Sequence, residues 1–240
     1  IPGNDAAEVI DPLDFLYEAR KGNNAGLGEH VVIIGGGNTA MDAARTAFRM
    51  VGEHGRVVVV YRRSINEMPA DQGEIKAVLE EGVEIMEMVA PLEVVLHKGK
   101  VSALKCIRTK LSADPSGGRP KPVIIEGSEF EIACDTIIPA IGQLTDFSFA
   151  EDMPLSSKAG IYKTPIPKVW LGGDALRGAS TAINAIADGR LAAEKILETL
   201  GVANTMSNAR PMKEHPVDVL IAKRARRMPA AKPELLPPTD

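Results

Sequence analysis

The chain has 240 residues, 45% hydrophobic and 25% charged, with a formal net charge of −4, enough apolar content for one large or two small cores. The mildly acidic balance gives no general affinity for polyanions, and an aromatic content of 4% argues against a base-stacking nucleic-acid surface. No apolar run approaches a membrane span and no signal peptide opens the chain. The two distant cysteines, Cys106 and Cys134, exclude a disulfide framework, a zinc site and a cysteine-ligated cluster built from this chain alone.

Those features predict no nucleic acid, no membrane, no metal and a reduced, cytoplasmic setting. The chain begins at Ile1 without a methionine and ends in "PAAKPELLPPTD", so it is expected to be a piece of a longer protein.

"IDPLDFLYEARKG" predicts a short helix. Asp11 can cap it, Pro12 suits its first position, Asp14 favours its positive end and Gly22 can stop it. "HVVIIGGGNTAMDAARTAFRMVG" then switches from an apolar strand to helical periodicity. Met41, Ala44, Phe48 and Val51 share one face, while Asp42, Arg45, Arg49 and Glu53 share the other. "RVVVVY" is the next buried strand, and a helix between two such strands implies a parallel βαβ unit.

Asp71 and Glu74 have capping-box spacing at the head of "DQGEIKAVLEEG", whose apolar seam runs through Ile75, Val78 and Leu79. "VEIME" continues the sheet. Residues 90–133 change character: alternating segments separated by glycine-containing turns predict an antiparallel meander. "CDTIIPAIG" is a short apolar strand ending at Gly142, and "KVWLGGDA" is expected to be another buried strand. "STAINAIADGRLAAEKILETLG" is a long helix capped by Ser180 or Thr181 and stopped at Gly201. Beyond Gly201 polarity rises and periodicity fades, as in a tail or linker.

Gly35, Gly37 and Ala40 form G-x-G-x-x-A directly between a strand and a helix. Gly35 permits the tight turn, Gly37 lets a pyrophosphate approach the backbone, and Ala40 lets helix and strand pack closely. Gly36 completes the turn, and free amides near Asn38 and Thr39 face the diphosphate with the helix dipole behind them. An NAD site would hold a carboxylate at the end of the second strand; here Tyr61, Arg62 and Arg63 stand instead. Their planar forks suit a 2′-phosphate, so the expected ligand is NADPH.

In "WLGGDALRGASTAINAIADGR", Gly173 and Asp174 close a strand-like run and a helix begins near Thr181 and Ala182. An aspartate there can accept from a sugar or ribityl hydroxyl, or can cap the loop. A helix N-terminus suits the charge of a reduced flavin.

"GGGNTAMDAARTA", "YRRSINEMPA", "CDTIIPAIGQ" and "GGDALRGASTAINAIADGRLAAEKI" follow one another in that order over roughly residues 1–200. Together they resemble the NADPH:flavin part of the glutamate synthase small subunit, a module similar to those of dihydropyrimidine dehydrogenase and electron-bifurcating transhydrogenases. The resemblance implies a glutathione-reductase-like α/β fold: a Rossmann-like NADPH-binding domain with a parallel sheet and antiparallel β-meander, inserted in an FAD-binding domain present only in part.

On that basis residues 1–13 are a crossover segment from the FAD domain and 14–138 the NADPH domain. Residues 139–200 are the closing part of the FAD domain, and 201–240 a tail. Asp174 would meet the ribityl chain, Thr181 and Ala182 the pyrimidine edge, and Gly142 with Gln143 the flavin–nicotinamide junction. The family carries a proline soon after the glycine of "AIG", where this chain has "GQLTD".

The family's first flavin-binding glycine turn and its upstream iron–sulfur cysteines have no counterpart here. The resemblance therefore implies partners beyond NADPH: the N-terminal FAD and iron–sulfur region, and a large or partner subunit. The intact enzyme is expected to pass hydride from NADPH to FAD and electrons onward, and this chain alone to be colourless.

No side chain is needed as acid, base or nucleophile, since the cofactors supply the chemistry. His30, His54, His97 and His215 lie in no motif, and Met86 and Met88 suit packing. Two rivals stand beside this reading. A thioredoxin-reductase-like dithiol enzyme needs a cysteine spacing absent here. A non-catalytic NADP-binding or docking module needs no flavin. The cluster Lys223, Arg224, Arg226 and Arg227 fits a solvated helix face or a dock for an acidic partner.

Overall fold

The structure is a computed structural model, and it describes residues 1–24, 26–52, 54–113, 119–142, 147 and 162–202. The chain divides into two compact units, residues 1–144 and 145–240.

In the first unit, α1 (Pro12–Arg20) is capped as expected: the Asp11 carboxylate accepts from the backbone of Leu13 and Asp14, and Gly22 leaves the helix at φ +79°. The parallel sheet contains β1 (His30–Ile34), β2 (Arg56–Tyr61) and β3 (Glu84–Glu87), joined later by β7 (Thr136–Pro139), in the order β3-β2-β1-β7. The helices α2 (Asn38–Met50) and α3 (Gln72–Glu80) connect its first three strands. A second sheet, β4 (Val89–His97), β5 (Lys100–Ser112) and β6 (Lys121–Ala133), is the antiparallel meander.

Alternation along β1 explains the layering. Val31 and Ile33 enter a core with Phe15, Met41, Ala44 and Val78, on the helix side. Val32 and Ile34 enter a second core with Leu104, Cys106 and Ile132, on the meander side. Both faces of the parallel sheet are therefore covered, which is why its strands read as unbroken apolar runs.

Two expectations about α3 are corrected. Leu79 is 48% exposed and does not continue the seam of Ile75 and Val78. The capping box does not close either: the Asp71 carboxylate accepts from Gly73, but Glu74 turns to Arg45 at 2.9 Å. The Asp71 N–H that Glu74 was expected to satisfy donates instead to Asn38 Oδ1 at 2.8 Å. An arginine on the neighbouring helix outcompetes a neutral amide for a carboxylate.

In the second unit, α4 (Asp174–Arg177) is a single turn and α5 (Ala182–Leu200) is the long helix. Thr181 is its cap, accepting from the Asn184 N–H at 3.3 Å, and Gly201 ends it at φ +66°. The expected strand through "KVWLGGDA" does not form; Trp170 makes one isolated bridge to Lys163. An apolar run becomes a strand only where neighbours satisfy its backbone along its length; here the Thr164 N–H donates to the Val169 carbonyl at 3.1 Å and the Leu171 N–H to the Tyr162 carbonyl at 2.7 Å, and among the described residues the ladder goes no further.

Candidate functional site

The glycine turn lies at the carboxyl end of β1, between β2 and β7. Gly35 has φ +145°, and a Cβ there would lie 2.3 Å from the Ala140 carbonyl oxygen. No larger residue fits that turn. At Gly36 a Cβ would lie 2.7 Å from the Tyr61 ring, so the end of β2 packs directly beneath the turn. Gly37 differs: a Cβ there would meet nothing within 4 Å. Its lack of a side chain serves no internal packing, and leaves the space above the helix start open.

Gly37 is the N-cap of α2 and offers no capping side chain. Among the described residues nothing accepts from the N–H groups of Asn38 or Thr39, and the first turn of α2 carries no acid. Open donors, a positive helix end and no competing carboxylate in that first turn are features that suit an anion. Ala40 is fully buried, as close strand–helix packing requires. The Asn38 side chain has a task within the fold: its Oδ1 accepts from the Asp71 N–H at 2.8 Å, while the Ala70 N–H donates to the Gly36 carbonyl at 3.1 Å. The segment after β2 is thus fastened over the turn.

Arg62 is exposed and Arg63 half-buried at the end of β2. Their backbone is held from two sides: Thr109 Oγ1 of the meander donates to the Arg62 carbonyl at 2.9 Å, and the N–H of Met88, between β3 and β4, to the Arg63 carbonyl at 3.1 Å. Met88 reaches that position with φ +57°, an uncommon conformation for a side chain with a Cβ. Arg63 Nε donates to the Pro120 carbonyl at 2.8 Å, leaving its terminal nitrogens for an anion. Among the described residues neither arginine is ion-paired with a carboxylate. Two acids brought near this strand end are engaged locally: Glu67 accepts from the Ser64 hydroxyl, and Glu87, opposite Tyr61 in the sheet, accepts from the Ile65 N–H.

Residues 1–189 match the family of pyridine nucleotide-disulphide oxidoreductases. The chain belongs to that family.

Its curated relatives include the NADP(+)-dependent formate dehydrogenase subunit beta of Moorella thermoacetica, 38% identical over 74% of this chain. The NADPH-Fe(3+) oxidoreductase subunit beta of Geobacter sulfurreducens is 36% identical over 77%. The glutamate synthase [NADPH] small chain of Escherichia coli is 36% identical over 73%, which bears out the resemblance drawn from the sequence blocks. This chain spans 26%, 32% and 39% of those three proteins.

Among solved structures, FprA from Mycobacterium tuberculosis in complex with NADPH gives a TM-score of 0.68 at 17% identity, covering 93% of this chain and 65% of that one. Thioredoxin reductase from T. acidophilum gives 0.61 at 19%, covering 83% and 61%. At such identities the likeness is one of fold.

Membership in a family named for disulphides makes the cysteines worth weighing. Cys106 and Cys134 are both buried in the core beneath the meander. Burial above all pushes each thiol up to about 12, helped by Cys134 beside Cys106 and by Asp135 beside Cys134. A thiol so protonated and enclosed is no nucleophile at neutral pH, so a dithiol mechanism has no support in this chain.

Around the second glycine pair, Gly173 has φ +61° and α4 begins at Asp174, which is exposed. Thr181 and Ala182 stand at the N-terminus of α5, whose first turn carries no acid. Gly142 has φ +101° beside Ile141, which is 75% exposed; Gln143 lies outside the described residues, as do His215 and the basic cluster at 223–227.

Sequence reasoning missed Asp188. It is wholly buried, accepts from the Tyr162 hydroxyl at 3.1 Å and from the Gly173 N–H at 3.2 Å, and pairs with Arg177. The Arg177 guanidinium holds its carboxyl below the usual carboxylate range. An acid inside an otherwise small-residue helix stretch, "NAIADGR", was the available signal.

Proposed function

We propose that this chain is the NADPH-holding part of a flavin-dependent oxidoreductase of the glutamate-synthase small-subunit kind. The single observation that carries the reading is the open glycine turn set beside an arginine pair with no carboxylate partner among the described residues. The N–H groups of Asn38 and Thr39 would hold the pyrophosphate at Gly35–Ala40, and Arg62 and Arg63 the 2′-phosphate.

Residues 14–138 are read as the NADPH domain, 1–13 as the crossover segment, 139–200 as a part of the FAD domain and 201–240 as a tail. Gly173, Asp174, Thr181 and Ala182 would face FAD, and Gly142 and Gln143 the flavin–nicotinamide junction. NADPH and FAD supply the hydride chemistry when bound. The chain's share is to fix the coenzyme's orientation and to meet fixed negative charge with fixed donors. Completion of the flavin site would fall to an upstream region bearing its own glycine turn, and onward electron flow to an iron–sulfur region or partner subunit. A cytoplasmic setting agrees with two buried, protonated thiols.

Hydrogen bonds to charged groups contribute roughly 1.5–3 kcal/mol each, so two arginines should favour NADPH over NADH by about a hundredfold or more. Equilibrium titration of the two coenzymes checks this, with the preference abolished in Arg62→Ala plus Arg63→Ala. Equal dissociation constants in the unmodified chain reject the reading.

One observation favours a second reading, a docking module without catalysis of its own: Ile183 and Ile186 of α5 are 78% and 73% exposed. Oxidation of NADPH by an artificial acceptor, with and without added FAD, separates the two. Turnover restored by FAD supports the oxidoreductase reading, whereas NADPH binding without turnover supports the module.

A further inference from the structure

The meander brings a third guanidinium to the end of β2. Arg119, at the foot of β6, donates from Nη2 to the Tyr61 hydroxyl at 2.7 Å across 58 residues of sequence. That hydroxyl in turn donates to the Glu67 carbonyl at 2.9 Å, so both its donor and acceptor sides are used. The ring that carries it is 7% exposed and packs under Gly36 of the phosphate turn. Arg119 is thereby tethered to the residue immediately before the arginine pair.

The tether is not isolated. Pro120, the next residue, accepts from Arg63 Nε, and Thr109 of β5 donates to the Arg62 carbonyl. The β5–β6 hairpin therefore grips residues 61–63 at three successive positions. Three like charges gathered at one strand end repel one another, and among the described residues no carboxylate is paired with any of them. Of the acids nearby, Glu67 is taken up by Ser64 and Glu87, at the end of β3, by the Ile65 N–H. Such an arrangement suits a dianion better than a singly charged group.

We infer that Arg119 is a third specificity-determining cation of the adenosine 2′-phosphate site, delivered by the hairpin and positioned by the Tyr61 hydroxyl. The inference rests on the NADPH reading above and adds to it a residue from outside the βαβ unit. One of Arg119's five N–H donors is held by Tyr61; the rest of the fork gives the phosphate ester a further charge-assisted contact.

The test is titration of the 240-residue chain with NADPH, NADH and 2′,5′-ADP, with far-UV circular dichroism of every variant. Arg119→Ala should weaken NADPH and 2′,5′-ADP by about tenfold, the value of one charge-assisted contact, and leave NADH unchanged. Arg119→Gln, which keeps the stem, should give the same pattern, and Arg119→Lys should recover part of the loss. Tyr61→Phe, which frees the Arg119 guanidinium from its tether but keeps its charge, should weaken NADPH by about threefold, less than Arg119→Ala does.

Equal weakening of both coenzymes in Arg119→Ala, or weakening of neither, overturns the inference. If the unmodified chain prefers NADPH and Arg119→Ala keeps that preference in full, only the third cation is lost. If the unmodified chain binds both coenzymes equally, the NADPH reading fails and the inference fails with it.

Discussion

The two units of this chain are built to different degrees. Residues 1–144 contain two buried clusters, one on each face of the parallel sheet, with Phe15, Ile33 and Leu104 fully enclosed. In residues 145–240 the buried side chains among those described are Tyr162, Thr164 and Asp188, and α5 buries none of its apolar residues. A parallel sheet sandwiched between helices and a meander removes its hydrophobic surface from water within the unit. Among the described residues of the second unit, the buried contacts are polar and centre on the Asp188 carboxylate. Apolar burial contributes roughly 25 cal/mol per Å², so stability concentrates where the sheets are complete.

That contrast can be tested because the single tryptophan, Trp170, lies in the second unit, while most regular structure lies in the first. Leu104→Ala should cost about 2–5 kcal/mol in denaturant unfolding followed by far-UV circular dichroism, the usual penalty for emptying an enclosed leucine site. A cost near zero would break the picture of a finished core in the first unit.

A smaller effect should come from alkaline pH. Both cysteines ionise at about 12 in the fold against an ordinary value of 9.0. Their neutral forms therefore contribute stability that is whole below about 9 and is lost as pH rises toward about 12. Unfolding titrations from pH 7 to 11 should record a falling midpoint, less steep in Cys106→Ala. A thiol reagent should label neither cysteine before unfolding. The smallest effect belongs to the second unit: Ile186→Ser on the exposed face of α5 should change stability by less than about 0.5 kcal/mol. A large cost there would mean that the residue is covered in solution.

What was legible in the sequence follows the reach of each interaction. The βαβ unit, the glycine turn and the arginine pair could be read because their signals lie within some 30 residues, and each has one mechanical cause. The cap at Thr181 and the stop at Gly201 were equally local. "KVWLGGDA" was misread because apolar composition reports burial, whereas a strand also needs a neighbour for its backbone. Glu74 was misassigned because a capping box competes with any arginine that tertiary structure brings near, here Arg45. Asp188 and the Tyr61–Arg119 contact stayed hidden because each joins residues that only folding makes adjacent.

The Thr109 hydroxyl on the Arg62 carbonyl has a practical bearing on redesign. Swapping the guanidinium pair for a carboxylate, the obvious route toward the unphosphorylated coenzyme, would edit one strand end and leave the hairpin's grip untouched. On the proposed NADPH reading, a successful switch of preference should therefore require retuning of Thr109, Arg119 and Pro120 as well, which lie 47 to 58 residues from the positions they hold.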